Sequence, residues 1–323
     1  MNKLPLFLLL IFLIFSKINK TFAVDNVPSS SQTAKVTIAS NSDTLTINSG
    51  ITLGNLTTQN RADINEKNDV SVIVNSGGSI LSLNNAVQGD DSDDLTVTNS
   101  GTIRAAGSKA INLKDTADSI ITNNLGGIIR SGAGDTISGE AATGGTITNS
   151  GTIYSDDQRA INLFSTSTTT TVTNNSSGHI YNSNTNEAIK LDSSSTLTNS
   201  GKIENKNSPT NNSIRLVGND NTIILKDKSI LIGTIDAGST TGNTLKFQHG
   251  MGQGYYYKTS GDFALQDLDG NQVVKGSAGS VGQGSTETLD ELLSYKSMSL
   301  KNFLINLIKL KIKNHGVKHM YLI

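Results

Sequence analysis

The phrase Thr-x-Thr-Asn-Ser-Gly-x-Ile occurs three times in this chain at intervals of 50 residues, beginning at Thr96, Thr146 and Thr196. Less regular copies lie halfway between them. A fixed period of this kind indicates a repeat architecture, in which each repeat stacks on its neighbours to bury a shared core. Aligned on their Gly-x-Ile elements, the copies predict a buried isoleucine about every 25 residues, at Ile80, Ile103, Ile128, Ile153, Ile180 and Ile203.

Each period contains three short segments in which apolar residues alternate with polar ones. In one period the apolar pairs are Leu95 and Val97, Ile103 and Ala105, and Ile111 and Leu113. Alternation over a few residues is typical of a strand with one face towards a core. The sequence therefore predicts an all-β, right-handed parallel β-helix with three faces and about 25 residues per coil. The right hand follows from the general preference of parallel crossovers.

An asparagine also recurs with this period, immediately before the Ser-Gly or equivalent turn. Asparagine tolerates turn conformations, and a stacked amide can bond to the amides above and below it. We therefore predict that these asparagines form a structural ladder at one corner of the coils and take no part in ligand binding. The predicted ladder residues are Asn75, Asn99, Asn123, Asn149, Asn174 and Asn199.

Composition agrees with a β-rich chain. The 323 residues include no Cys and no Trp but 31 Gly, so no disulfide is available and packing must supply stability. The first 23 residues carry three lysines and the last 23 carry five, which leaves 18 Lys and Arg against 27 Asp and Glu in between. This acidic body argues against a nucleic-acid partner.

The pattern along the chain predicts six segments. Residues 1–23, with an apolar run from Leu4 to Phe15, are typical of a cleaved signal peptide, and a retained anchor is the alternative. The others are an N-terminal cap or flexible lead (24–43), the β-helix repeats (44–243), a C-terminal cap with a hairpin at Asp269-Gly270 (244–276), a Gly/Ser linker (277–286) and a helical basic tail (287–323).

For every candidate catalytic, cofactor-binding or metal-binding residue, the sequence favours a structural role over a functional one. The cluster Asp90–Asp94 could take up calcium, but a solvated loop is the preferred interpretation. His179 occupies a position that is outward in other coils, and His315 and His319 have no nearby acid for a zinc site. Asp267–Asn271 reads as a turn. Tyr255–Tyr257 could form a sugar platform, although capping of the last coil is preferred.

An enzyme acting on polysaccharides is the main alternative to a binding protein. Such sites gather acids with basic side chains on one outer face. Arg104 and Arg130 fall at matching points of adjacent coils, and Lys109 and Arg159 at another, but the spacing shows no matching acidic pairs. We therefore predict a non-enzymatic protein without cofactor or metal.

The chain resembles the passenger domain of a bacterial type V autotransporter. The resemblance covers Leu45 to Phe303 and rests on the TNSGTI coils, on NTIILKDKSILIGTIDAGSTTGNTLKF, on GYYYKTSGDFALQDLDGNQVV and on LDELLSYKSMSLKNF. It implies export and secretion through a C-terminal outer-membrane barrel of the same chain. After Phe303 only LINLIKLKIKNHGVKHMYLI follows, so the expected barrel is missing and a truncation or frameshift is the expectation.

The resemblance also implies a role at the cell surface. We expect adhesion to a host-cell or surface glycan or protein, with the protein outside the cell if a barrel is available and in the periplasm otherwise. The alternatives are a polysaccharide lyase or hydrolase and an inactive truncated product.

Overall fold

The chain is described here from a computed structural model, which covers residues 24–59, 61–164, 166–226, 228–248 and 257–272. The predicted signal peptide, Gly/Ser linker and helical tail lie outside these residues. The described part is a parallel β-solenoid of about nine turns with three sheets, and it contains no helix. This agrees with the predicted all-β, three-faced coil.

Every coil contributes one strand to each sheet over most of the solenoid. Sheet A has 11 strands: Asp25–Asn26, Thr44–Ile47, Ser71–Val74, Thr96–Asn99, Ile120–Asn123, Thr146–Asn149, Thr171–Asn174, Thr196–Asn199, Thr222–Leu225, Thr244–Phe247 and Ala264–Asp267. Sheet B has eight: Thr52–Gly54, Ser79–Ser82, Thr102–Ala105, Ile128–Ser131, Thr152–Ser155, His179–Asn182, Lys202–Asn205 and Ile230–Ile232. Sheet C has ten: Val36–Thr37, Ala62–Asp63, Val87–Gln88, Ile111–Asn112, Ile137–Glu140, Ile161–Phe164, Ile189–Leu191, Asn212–Leu216, Thr234–Asp236 and Lys258–Ser260.

The strands pair in parallel with the equivalent strands of the coils above and below. In sheets A and B most strands alternate partly buried and buried residues, as in Thr152–Ser155, so every second side chain enters the core. The core is built almost wholly from Ile, Leu, Val and Ala. Each such Ile, Leu or Val side chain contributes about 1.5–3 kcal/mol through burial, so the columns supply the main stabilisation of a chain that lacks disulfides.

Five of the six predicted core isoleucines are fully buried, namely Ile80, Ile103, Ile153, Ile180 and Ile203. The prediction of Ile128 is wrong, because Ile103 pairs with Ile129 and Ile129 pairs with Ile153. Ile129 is 0% exposed and Ile128 is 38% exposed. Two adjacent glycines precede Ile128, and the second of them, Gly127, holds the position of Gly101 and Gly151 in the neighbouring coils. The alignment on the first glycine therefore shifted the strand by one residue, which exchanges its two faces.

The predicted lead, 24–43, forms an abbreviated first coil. Asp25–Asn26 extends sheet A and Val36–Thr37 extends sheet C, while Gln32 bridges to Leu53. The buried carboxylate of Asp43 fixes this end, because it accepts hydrogen bonds from the backbone N–H groups of Val24 at 2.9 Å and Ser40 at 3.1 Å.

The predicted boundary at 243 does not mark the end of the solenoid. Sheets A and C continue in parallel register to Asp267 and Ser260. The turn at Asp269-Gly270 follows the last strand, and Gln272 returns antiparallel to Gln266. The end of the predicted C-terminal cap, 273–276, lies outside the described residues.

Candidate functional surfaces

A ladder of buried amides runs along the corner between sheets A and B. In four successive steps the side-chain N–H of one asparagine donates to the side-chain oxygen of the next, over 2.8–2.9 Å. Backbone carbonyls take further hydrogen bonds from these amides, as Gly127 and Thr152 do from Asn123. The structure thus brings together five of the six predicted ladder residues: Asn99, Asn123, Asn149, Asn174 and Asn199.

The sixth predicted residue, Asn75, does not belong to this ladder. Val74 pairs with Asn99, so the column position in that coil is occupied by a valine. Asn75 lies one residue later on the exposed turn, where its amide donates to Asn48 at 2.9 Å. The spacing of 24 residues between Asn75 and Asn99 is close to one period, so the sequence fits Asn99 beside either Val74 or Asn75. In the structure Asn99 pairs with Val74.

The acidic cluster Asp90–Asp94 forms part of the corner between sheets C and A. Asp91 and Asp94 have φ angles of 53° and 54°, a left-handed conformation that Asp tolerates better than most residues. Asp93 accepts the backbone N–H of Ala117 in the next coil at 2.8 Å, and Asp115 and Asp118 repeat the left-handed pair there. These acids are therefore turn residues, and Asp93 joins its coil to the next. This structural role differs from both interpretations of the sequence, a calcium site and a solvated loop.

Aromatic and charged side chains form a column on the outer face of sheet B. Pairing places Arg104 beside Arg130, Arg130 beside Tyr154, and Tyr154 beside Tyr181. The two tyrosine rings stack with centroids 4.7 Å apart. The Arg130 guanidinium lies 5.0 Å from the Tyr154 centroid and Lys206 lies 3.4 Å from that of Tyr181, so cations cover both ends of the stack.

Ion pairs surround this stack. Arg130 Nε donates to Asp156 at 3.1 Å, and Glu204 accepts from Lys202 at 2.7 Å and contacts His179 Nε2 at 3.0 Å. Burial and the neighbouring Tyr154 raise the pKa of Tyr181 to about 12, so its hydroxyl stays protonated.

His179 is therefore not the ordinary surface residue that its position predicted. Its ring packs on Tyr181 with centroids 4.5 Å apart. Burial lowers the pKa of His179, although the hydrogen bond to Glu204 opposes this shift. A neutral imidazole beside an ionised carboxylate is the resulting state near neutral pH.

A second polar column follows the outer face of sheet C. Its seven members lie in register along successive coils, and we call them the sheet C strip: Gln88, Asn112, Ser138, Asn162, Lys190, Arg215 and Asp236. Beside it, charges alternate in sign along one edge. Arg159 Nε donates to Glu187 at 2.6 Å, and its NH1 lies 3.8 Å from Asp135. Alternating signs between neighbouring coils stabilise the stack, as opposite charges do across strands.

Acidic partners for the arginines thus exist, although the sequence analysis predicted none. Asp156 forms an ion pair with Arg130, and Asp135 and Glu187 form ion pairs with Arg159. The partners lie 24–28 residues away along the chain, which is about one coil. A search for opposite charges one period apart, rather than for acids at the equivalent position of the repeat, would have found them.

The remaining predicted site candidates have structural positions or lie outside the described residues. Tyr257 is buried and stacks on Phe247 with centroids 4.9 Å apart, as expected for a residue that covers the last coil. Burial raises its pKa. Asn271 donates its backbone N–H to Asp267 at 2.8 Å, so this stretch is a turn. Tyr255, Tyr256, His315 and His319 fall outside the described residues.

Within the described part of the chain, no three His, Cys, Asp or Glu side chains are grouped to hold a metal ion. Among the same residues there is also no helix long and apolar enough to span a membrane. The chain matches no family model, no curated protein and no solved structure.

Proposed function

We propose that this protein is an exported, non-enzymatic β-solenoid of the autotransporter passenger type, which acts in adhesion or another surface interaction. A right-handed coil, a cleaved signal peptide and a location at the cell surface are parts of the same proposal. The sequence resemblance supports them through the TNSGTI coils and the segments that follow.

The observation that carries the adhesive role is the regular outer face of sheet A. Thr146 pairs with Thr171 and Thr171 with Thr196, and two residues further along each strand Thr148, Thr173 and Thr198 form a second row. These positions are partly exposed, and strand pairing spaces them by about 4.8 Å. A long, rigid array of hydroxyl groups offers many equivalent weak contacts, which suits multivalent attachment.

A cell-binding experiment tests this role. Beads coated with the protein should adhere to epithelial cells or to immobilised surface glycans without releasing soluble sugar fragments. The variant Thr148→Glu/Thr173→Glu places two charges on sheet A and should reduce adherence. Thr46→Glu/Thr244→Glu, which puts the same charges on strands of that sheet three or four strands away, shows whether the effect is local. Failure of the unmodified protein to adhere to any surface would contradict the proposal.

One observation favours a second candidate, a polysaccharide lyase or hydrolase. Asp135 and Glu187 lie on either side of Arg159 beside the sheet C strip, which gathers carboxylates with a basic group on one outer face. New reducing ends, or the ultraviolet absorbance of unsaturated uronates, would identify turnover. If turnover disappears in Glu187→Gln, the enzyme replaces adhesion as the function.

A further inference from the structure

Two cations on the sheet C strip lie side by side without an ion pair. Lys190 and Arg215 are in register on adjacent strands, with Cα atoms about 4.8 Å apart. Among the described residues neither side chain has a carboxylate within 4.0 Å, whereas Arg159 on the neighbouring coil has two. Lys190 instead lies 5.4 Å from the ring centroid of Phe164.

Such a pair is costly in the free protein. Like charges directly opposite each other in a sheet repel. Burial lowers the pKa of Lys190, and repulsion from Arg159 and Arg215 lowers it further, while Glu187 and Asp135 oppose the shift. Arg104 and Arg130 also lie side by side, on sheet B, but Arg130 has Asp156 as its partner, whereas the described residues give neither Lys190 nor Arg215 a carboxylate partner.

The next two members of the strip have polar atoms without partners. Asn162 pairs in register with Lys190 and is 5% exposed, and Ser138 beside it is 0% exposed. The side-chain oxygens of both have no hydrogen-bond partner. Asn162 does use its amide N–H groups, since Nδ2 donates to Asp135 at 2.6 Å, so the unused atom is an acceptor. A buried acceptor without a donor costs about 1–3 kcal/mol.

The strip therefore has two cations on adjacent strands and, on the next strand, the unpaired acceptor of Asn162. An anionic group bridging Lys190 and Arg215 would remove their repulsion, and a hydroxyl group of the same ligand would supply the donor that Asn162 lacks. An acidic sugar, a uronate or a sulfated residue, carries both groups within one ring. The length of one sugar residue is also similar to the distance across one to two coils, which are spaced by about 4.8 Å.

We propose that Lys190, Arg215 and Asn162 form a binding subsite for an acidic sugar residue of a surface glycan. This inference rests on the proposed adhesive function and names the class of its ligand. Flat stacking on tyrosines is not part of this site, because the rings of the sheet B column are covered by Arg130 and Lys206. Because Asn162 is 5% exposed, a neighbouring side chain must move as the ligand enters.

Calorimetry on the full chain tests the subsite with three defined probes: trigalacturonate, a heparin-derived sulfated hexasaccharide and neutral maltohexaose. We expect at least one acidic probe to bind and maltohexaose not to bind, with affinity that falls as salt is added. Lys190→Gln/Arg215→Gln should weaken binding at least about tenfold, the loss expected for one charged hydrogen bond or more. Asn162→Leu should weaken it less, and for both acidic probes.

A matched variant separates the subsite from general charge. Lys67→Gln/Lys246→Gln removes two positive charges from the C-to-A corner and sheet A and should leave the affinity unchanged. Circular dichroism melts establish that each variant is folded. Equal weakening by both double variants, or binding that survives Lys190→Gln/Arg215→Gln, would overturn the subsite. Cell adherence by a protein that binds neither acidic probe would also overturn it, while the proposed function would stand.

Discussion

A buried amide is tolerated at the corner of this solenoid because all of its hydrogen-bonding groups are used. Asn123 accepts from Asn99, and its Nδ2 contacts Asn149, Gly127 and Thr152. The repeat makes this possible, since each coil supplies the same partners at the same height. Loss of one amide leaves groups in two coils unsatisfied, so the cost exceeds that of a single hydrogen bond.

We expect Asn123→Ala to lower the free energy of unfolding by about 1–3 kcal/mol, because it leaves buried partners without hydrogen bonds. Asn75→Ala is the matched control, since Asn75 lies on the exposed turn and should change stability by about 0.5 kcal/mol or less. Urea unfolding followed by circular dichroism measures both. Equal effects would contradict the assignment of Asn75 outside the buried ladder.

Adjacent isoleucines give the sharpest test of the register. Ile129→Asp places a charge in the aliphatic core and should cost several kcal/mol, which abolishes cooperative unfolding. Ile128→Asp changes an outward residue and should alter the melting temperature only slightly. Ile153→Asp serves as a positive control. A destabilising Ile128→Asp beside a harmless Ile129→Asp would restore the register that the glycine alignment predicted.

His179 makes stability depend on pH. Because burial lowers its pKa in the folded state below the ordinary value of 6.5, the unfolded state binds the proton more tightly. The free energy of unfolding should therefore fall as the pH drops below about 6.5, until the folded-state pKa is reached. Lys202 and His179 hold the pKa of Glu204 down despite its burial, so a further loss follows as the pH falls below 4.5.

In His179→Gln the loss just below pH 6.5 should disappear, while the loss below 4.5 persists in part through Lys202. Denaturant titrations at several pH values measure this difference. An NMR titration of the His179 ring that gives a pKa above 6.5 would reverse the sign and refute the argument.

At the scale of the element, the A-to-B turn allows the coils to stack closely. A Cβ atom on Gly151 would lie 2.3 Å from the carbonyl oxygen of Gly127 and 2.5 Å from that of Asn124. Backbone atoms of the preceding coil therefore leave no space for a side chain. Gly126 fulfils a different requirement, since its φ is +82° and nothing lies within 4 Å of its Cβ position.

These two glycines predict different costs. Gly126→Ala should cost about 1–2 kcal/mol through left-handed backbone strain alone. Gly151→Ala should cost more, because two coils must separate locally at the sheet A to sheet B corner. Thermal unfolding of both variants gives the comparison, and a smaller effect for Gly151→Ala would show that the turn adapts without separating the coils.

At the scale of the whole molecule, each coil contacts mainly its two neighbours. Stability should then be close to a sum over coils and their interfaces. Sheet A illustrates the exchangeability, because the strands Thr146–Asn149 and Thr171–Asn174 pair residue by residue and differ only in having Ile147 or Val172 at the core position. The outer faces have no such equivalence, since the sheet B column changes from Arg130 to Tyr154 and the sheet C strip from Asn162 to Lys190 between adjacent coils.

Deletion of residues 146–170 removes one complete coil and should leave a folded, shorter solenoid. Its β signal per residue should persist and its melting temperature should fall by a few degrees. Deletion of residues 146–158 removes half a coil and should prevent cooperative folding. The sheet C strand Ile161–Phe164 would then occupy the place of a sheet A strand, and every later strand would be displaced in the same way. Loss of folding in both variants would show that the coils are not exchangeable.

Period and alternation, both properties of the sequence, were enough to predict the three faces, the coil length and most of the core. The reason is that each buried column favours one kind of side chain, aliphatic in the core and an amide at the corner between sheets A and B, so the pattern repeats with the coils. The columns of Asn99 and of Ile103 were visible for the same reason.

Tertiary structure alone decided the register at Ile128–Ile129 and at Val74–Asn75, where two alignments fitted the spacing equally well. Pairing with the coils on both sides selects the alignment that buries an aliphatic side chain, Ile129 in one case and Val74 in the other. It also decided the outer surface, including Arg130 with Asp156 and Lys190 beside Arg215. Outward positions are not constrained by the core, so their partners follow from neighbouring coils rather than from the repeat.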